Sequence, residues 1–196
     1  MTSGRLEAFS DGVIAVLITI MVLDLRAPEH VDTFGGLREH HFVPMLLVYI
    51  LSFVYLAIYW NNHHHLLQVV ERINGTVLWA NMHLLFWLSL VPFTTQWMSA
   101  HPRASAPVAA YGIVQLGAGV AYFLLTRALL AVHSGDTRLA HALGRDWKGK
   151  LSVVAYAVGV GLAFVEPWLA IGIYIAVAIV WLIPDRRIER VTPGEA

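Results

Sequence analysis

Within its first dozen residues the chain sets Arg5, Phe9, Ser10 and Asp11 at the mouth of an apolar stretch running from about Ala8 to Leu25. An ionisable group costs roughly 2.5–3.5 kcal/mol at the centre of a bilayer and less toward its edges. A chain that keeps such groups has paired them or set them beside water. Two chemistries follow: a pinned helix end, or a wet conduit. A plain N-cap, with Ser10 or Asp11 accepting from free N–H groups of the first turn, is compatible with both. A second polar set is Asn61-Asn62-His63-His64-His65, at the inner end of the next apolar stretch, in a chain with ten histidines. Neighbours on a helix point about 100° apart, so three consecutive imidazoles cannot converge on one metal ion. No His-Glu-x-x-His pair accompanies them, and no metal site or cofactor is expected. One imidazole bonded to the Asp11 region is the simpler arrangement. Asn81 and His83, inside the third apolar stretch, are polar groups that also need partners. Ser10, Asp11, Asn62, His64, Asn81 and His83 are therefore candidates for one shared network.

At 100° per residue, Gly12, Val16, Thr19, Ile20 and Leu23 fall on one face of the first helix, while Ile14, Leu17, Ile18, Met21 and Leu25 fall on the other. Ala8 and Ala15 flank the first face and make it the slimmer one. A slim face lets transmembrane helices pack closely, and Thr19 can satisfy itself on the Ala15 carbonyl. The same face also suits the wall of a narrow apolar pore with a single hydroxyl. The residues alone leave both readings open. Asp11 lies about 100° from Gly12, off that face, which makes it and Arg5 anchors rather than pore charges.

The elements that must position these groups follow from composition. The 196 residues are 58% hydrophobic and only 13% charged, with a mean hydropathy of +0.64. Soluble domains carry about a quarter charged residues, so this is an all-α integral membrane protein. Six helices are predicted, over about 5–27, 41–63, 74–99, 105–132, 148–165 and 167–187, within one domain covering 1–190, with a disordered tail at 191–196. Apolar cores of the second to sixth segments contain no Asp, Glu, Lys or Arg, and Glu166-Pro167 is brief enough to force a helical hairpin. With the first residues cytoplasmic, one side holds Arg5, Arg72, Arg127, Arg138, Arg145, Lys148, Lys150, Arg186, Arg187 and Arg190. The other holds only Arg26, Arg38 and Arg103. Both termini are expected to be cytoplasmic. The start of the chain does not read as a signal peptide, having Arg5 and Glu7 together and no small-residue cleavage site.

Several classes fall away. With no cysteine there is no disulfide, thiolate nucleophile or cysteine-bound metal. No lysine stands within a span to form a Schiff base, no Thr-Val-Gly-Tyr-Gly loop supplies a carbonyl filter, and no Gly-x-Ser-x-Gly or phosphate loop occurs. Enzyme chemistry and nucleic-acid binding are not expected. The absence of an internal repeat implies that a closed pore needs several copies of the chain.

The pattern Arg-x-x-x-Phe-Ser-Asp at Arg5, Phe9, Ser10 and Asp11 resembles the signature of the transmembrane protein 175 family. Trp60 with His63 and His64 after the second span, and Asn81 on the third, extend the resemblance across a six-span plan. That family includes a lysosomal potassium channel of animals and single-repeat bacterial relatives. The resemblance implies a homotetrameric potassium channel of the bacterial inner membrane, in contact with membrane lipids. Its central pore would be lined by the first helix, potassium ions would pass only transiently, and a hydrophobic constriction would replace the carbonyl filter. Matching positions are Val16, five after the signature aspartate, and Thr19, eight after it, with Ile20 and Leu23 further along. Val16 is smaller than the Ile or Leu often found there, so the narrowest ring is at Val16, Ile20 or Leu23. The remaining signature positions, Arg5, Phe9, Ser10, Asp11, Trp60, His64, Asn81 and His83, are expected to fasten the helix end. The alternative is a proton-coupled or proton-conducting transporter using Asp11, His64 and His83 as a relay.

Overall fold

The computed structural model of the chain describes residues 2–25, 42–68, 70, 72–133 and 147–182. Among them the secondary structure is entirely helical. Helix α1 (Ser3–Ile20) tightens into a 3₁₀ turn over Met21–Asp24. It is followed by α2 (Phe42–Gln68), α3 (Gly75–Ser89), α4 (Val91–Ala100), α5 (Ser105–Val132), α6 (Trp147–Leu162) and α7 (Pro167–Leu182). The ends 26–27, 41 and 183–187 of the expected helices, the tail 191–196 and most of the 133–150 loop lie outside the described residues.

Four helical rods are long and apolar enough to cross a membrane: Ser3–Asp24, Phe42–Gln68, Gly75–Ala100 and Ser105–Val132. Pro167–Leu182 is shorter and also apolar. The third rod is two helices rather than the single one expected over 74–99. Pro92 has no N–H to offer the Leu88 carbonyl, and its ring crowds that oxygen. The chain breaks at Leu90 and restarts with Pro92 in the first turn of α4, where its missing donor costs nothing. At its other end α3 is fixed by Asn74, whose side chain accepts from the Val77 N–H at 2.9 Å. Helix α2 continues to Gln68, so the histidine run lies within the helix rather than at its end.

Helix α5 is the hub, packing against α3, α4, α6 and α7, while α1 sits at one side against α2, α3 and α4. Small residues make the hub possible. A Cβ at Gly117 would lie 2.3 Å from the Trp87 ring, and one at Gly112 would lie 2.0 Å from the Tyr174 hydroxyl. Close backbone approach between helices is bought by such residues. One core joins Leu6, Ile14, Leu17 and Met21 of α1 to α2, α3 and α5. A second joins Tyr55, Tyr111, Tyr156 and Tyr174 across α2, α5, α6 and α7. Between the two cores Thr95 donates to Ser52 at 2.7 Å, and Ser52 lies 3.1 Å from the Tyr111 hydroxyl. Helices α6 and α7 form a tight hairpin, with the turn closed by Glu166 N–H to the Leu162 carbonyl at 2.8 Å.

Candidate functional site

The two faces of α1 have different surroundings. Leu6, Ser10, Ile14 and Leu17, with Met21 one turn on, recur at helical spacing and are buried in the bundle. On the opposite side Arg5, Phe9, Gly12, Val16, Thr19, Ile20 and Leu23 are all exposed on the single chain. Val16 is 60% and Leu23 71% accessible, and a Cβ at Gly12 would meet nothing within 4 Å. The slim stripe therefore has no partner among the described residues, whereas the bulkier stripe holds the helix in place. Thr19 Oγ1 donates back to its own helix, 3.0 Å from both the Ala15 and Val16 carbonyls. The proton is thus engaged and the oxygen lone pairs are left toward the open side.

The inward polar group on α1 is Ser10, fully buried. Its hydroxyl donates to the Leu6 carbonyl at 2.9 Å and accepts from Asn81 Nδ2 of α3 at 2.9 Å. Asn81 Oδ1 in turn lies 2.7 Å from His63 Nε2 of α2. With Asn81 Oδ1 only able to accept, His63 carries its proton on Nε2. Three helices are thereby tied together through three buried side chains. Their shapes leave little alternative, because an unmet buried polar group costs about 1–3 kcal/mol.

Beside this knot lies a second polar group. Glu7 and Asp11, one turn apart on α1, flank Ser10 and face α2. Glu7 Oε1 is 2.7 Å from His64 Nδ1. The His64 ring is stacked on Trp60, centroids 5.6 Å apart, and its Nε2 lies 2.8 Å from Gln68 Nε2. Asp11 is half-buried, and its Oδ1 is buried without a hydrogen-bond donor.

This arrangement differs from the expected network in identifiable ways. Ser10 and Asn81 do meet, but the imidazole joined to them is His63, not His64. Arg5 and Phe9 do not press against α2 and α3; they lie on the exposed stripe with Gly12 and Val16. Asn62 bonds its own helix, at the Ile58 carbonyl. His83 is exposed and accepts from Trp87 Nε1 at 2.9 Å, away from the others. Asp11 and His64 are thus neighbours, while His83 is hydrogen-bonded to Trp87 on its own helix. Glu7 had not been singled out, and His63 had entered only through the histidine run and the resemblance, not as a member of the expected network. His63 continues the inward row of Ser52, Leu56, Leu66 and Leu67, a spacing that marks it off from His64.

A bundle of apolar rods, one of them presenting an unpartnered slim stripe and a buried polar knot at one end, defines a multi-pass α-helical membrane protein. The comparisons narrow this further. Residues 5–92 match the family described as "Endosomal/lysosomal potassium channel TMEM175". The chain is 47% identical over 190 residues to a potassium channel of Chryseobacterium sp. (strain P1-3), covering 97% of each. It is 33% identical over 173 residues to a potassium channel of Streptomyces collinus (strain DSM 40733 / Tue 365), covering 84% of each. Its fold matches the crystal structure of a lysosomal potassium-selective channel TMEM175 homolog from Chamaesiphon minutus with a TM-score of 0.76 and 26% identity. That match covers 94% of this chain and 97% of the other. The chain belongs to the TMEM175 family.

Proposed function

We propose that this chain is the subunit of a potassium-selective channel of the bacterial inner membrane, four copies surrounding a central pore lined by α1. The observation that carries the reading is the division of α1 into a buried bulky stripe and an exposed slim one, Gly12–Val16–Thr19–Ile20–Leu23. An exposed apolar stripe can face lipid, but lipid does not call for a glycine and a hydroxyl about two turns apart on it. A ring of copies does, because closed symmetry brings the same face of each subunit to the axis. The bacterial relatives named as potassium channels over most of their length support the same reading.

In such a ring potassium passes four Thr19 oxygens whose protons are engaged by the backbone, so each offers lone pairs to the ion. No carbonyl filter is involved. Preference for potassium arises because the larger ion sheds water more readily at an apolar neck formed by Val16, Ile20 or Leu23. The Ser10–Asn81–His63 knot holds the cytoplasmic end of the helix, and the exposed Arg5 and Phe9 lie where neighbouring subunits meet. The excess of Lys and Arg on one side of a six-span, single-domain plan, ten against three by sequence, supports both termini being cytoplasmic.

The test is a planar-bilayer recording of the purified protein in asymmetric potassium and sodium. Discrete openings reversing toward the potassium equilibrium potential are expected. Absence of unitary current, or flux at transporter rates coupled to a proton gradient, overturns the reading.

A further inference from the structure

We propose that Glu7, Asp11 and His64 form a binding site for a first-row divalent transition cation, zinc being the ion that suits them best. One ligand atom from each lies within 4.8 Å of the other two. Around a tetrahedral zinc ion, with bonds near 2.1 Å, donor atoms sit roughly 3.4 Å apart. Closing the set therefore needs a shift of about an ångström, within reach of the Glu7 and Asp11 side-chain torsions.

Four features distinguish this group from a chance surface cluster. First, two carboxylates one turn apart on the same helix face repel each other unless a positive charge stands by them. Second, Asp11 Oδ1 is buried and accepts no hydrogen bond, although a buried carboxylate oxygen without a donor is costly. The close approach of Glu7 and His64 makes no hydrogen bond at Nδ1 and leaves Asp11 unanswered as well; a cation answers for all three. Third, the imidazole is held before any ion arrives, stacked on Trp60 and bonded at Nε2 to Gln68. Such an outer contact is what orients a ligating histidine. Fourth, the His64 and Glu7 side chains remain 30% and 20% exposed, leaving an approach for the ion and a place for a water as fourth ligand.

The proton accounting is simple. As the ring stands, Nε2 accepts from the Gln68 amide, so the ring proton sits on Nδ1, which is 2.7 Å from Glu7 Oε1 but out of line for a hydrogen bond to it. On binding, Nδ1 takes the metal and the proton resides on Nε2. The Gln68 amide turns over to present its oxygen to it. One nitrogen with two carboxylate oxygens favours zinc or its transition-metal neighbours, whereas magnesium prefers an all-oxygen shell with several waters.

The experiment titrates zinc into the detergent-purified full chain against a chromogenic chelator, alongside Glu7→Gln, Asp11→Asn and His64→Gln. His83→Gln and His101→Gln serve as controls for the other histidines. The expected result is one zinc per chain that each of the three variants weakens at least about tenfold, that neither control weakens, and that excess magnesium does not displace. Zinc should also raise the melting temperature of the wild type and not of His64→Gln. Equal binding by wild type and all three variants overturns the proposal, as does a wild type that binds no zinc or loses it to magnesium. Should one variant fail to fold, the other two decide. The measurement needs no current, so it stands whether or not the chain conducts potassium.

Discussion

Ser10 and Asn81 lie 71 residues apart in the chain and are joined by a buried 2.9 Å hydrogen bond, with Asn81 passing the connection on to His63. Asn81 is the shared member and so the costly one to lose. Asn81→Leu leaves the His63 N–H without an acceptor and removes a bond from Ser10, at about 1–3 kcal/mol for each unmet buried group. Ser10→Ala strands only one Asn81 N–H and should cost less. Thermal unfolding in detergent should rank wild type above Ser10→Ala and Ser10→Ala above Asn81→Leu. An unshifted Asn81→Leu would mean that water reaches these groups and the knot holds nothing.

Two glycines separate packing inside the subunit from events on its open side. Gly117→Ala pushes a methyl group against the Trp87 ring, where the built Cβ sits at 2.3 Å. Overpacking of this kind costs about 1–3 kcal/mol, so the melting temperature should fall. Gly12→Ala meets nothing within 4 Å and gains helix propensity of up to about 1 kcal/mol, so the single chain should be no less stable. Any loss of oligomer or current in Gly12→Ala is then assigned to the exposed stripe. A drop in its melting temperature equal to that of Gly117→Ala would show that the stripe is packed within the subunit after all.

The difference between these glycines also shows what the sequence could and could not reveal. The rods were legible because apolar runs near 20 residues announce themselves, and the α6–α7 hairpin because Glu166-Pro167 leaves no room for another connection. The break at Leu90 was signalled by Pro92 but overridden by the long apolar run around it. The two stripes of α1 were legible because they differ in bulk, but the residues alone left open which of them packs inward; in the fold it is the bulkier one. On α2 they do not: lipid and protein interior are both apolar, so polarity does not mark which side faces in. His63 and His64 consequently looked interchangeable, although one closes a buried knot and the other pairs with Glu7 at the edge. Arg5 was read as an anchor because charge in a membrane demands a partner, and Phe9 through the resemblance, but on the single chain both lie on the exposed stripe.

The same stripe makes a prediction about assembly. A face carrying Phe9, Val16, Ile20 and Leu23, all more than 45% accessible on the chain alone, calls for copies of itself around an axis. Native mass spectrometry in mild detergent should give a tetramer, and Phe9→Glu should dissociate it without unfolding the subunit. Monomers throughout, for the wild type in several detergents, would remove the pore from this account.

The sharpest prediction concerns the neck. Val16, Ile20 and Leu23 stand on successive turns, about 5.4 Å apart along the axis, and rings of such side chains resist wetting. Ile20→Ala or Leu23→Ala should raise unitary conductance by widening or wetting the neck. Thr19→Ala should lower the preference for potassium over sodium and leave assembly intact, since among the described residues its hydroxyl bonds only to its own helix. The opposite stripe is the control: Ile14 is fully buried and Leu17 nearly so, and their replacement by Ala should cost about 2–5 kcal/mol of stability without changing selectivity. Cysteines at 16, 20 and 23 should react with small thiol reagents and block the current, while those at 14 and 17 should stay inert. If tetramers form and the reactivity runs the other way, conduction does not follow the Val16–Leu23 face, because a side chain packed against α2 and α3 cannot line a path for ions.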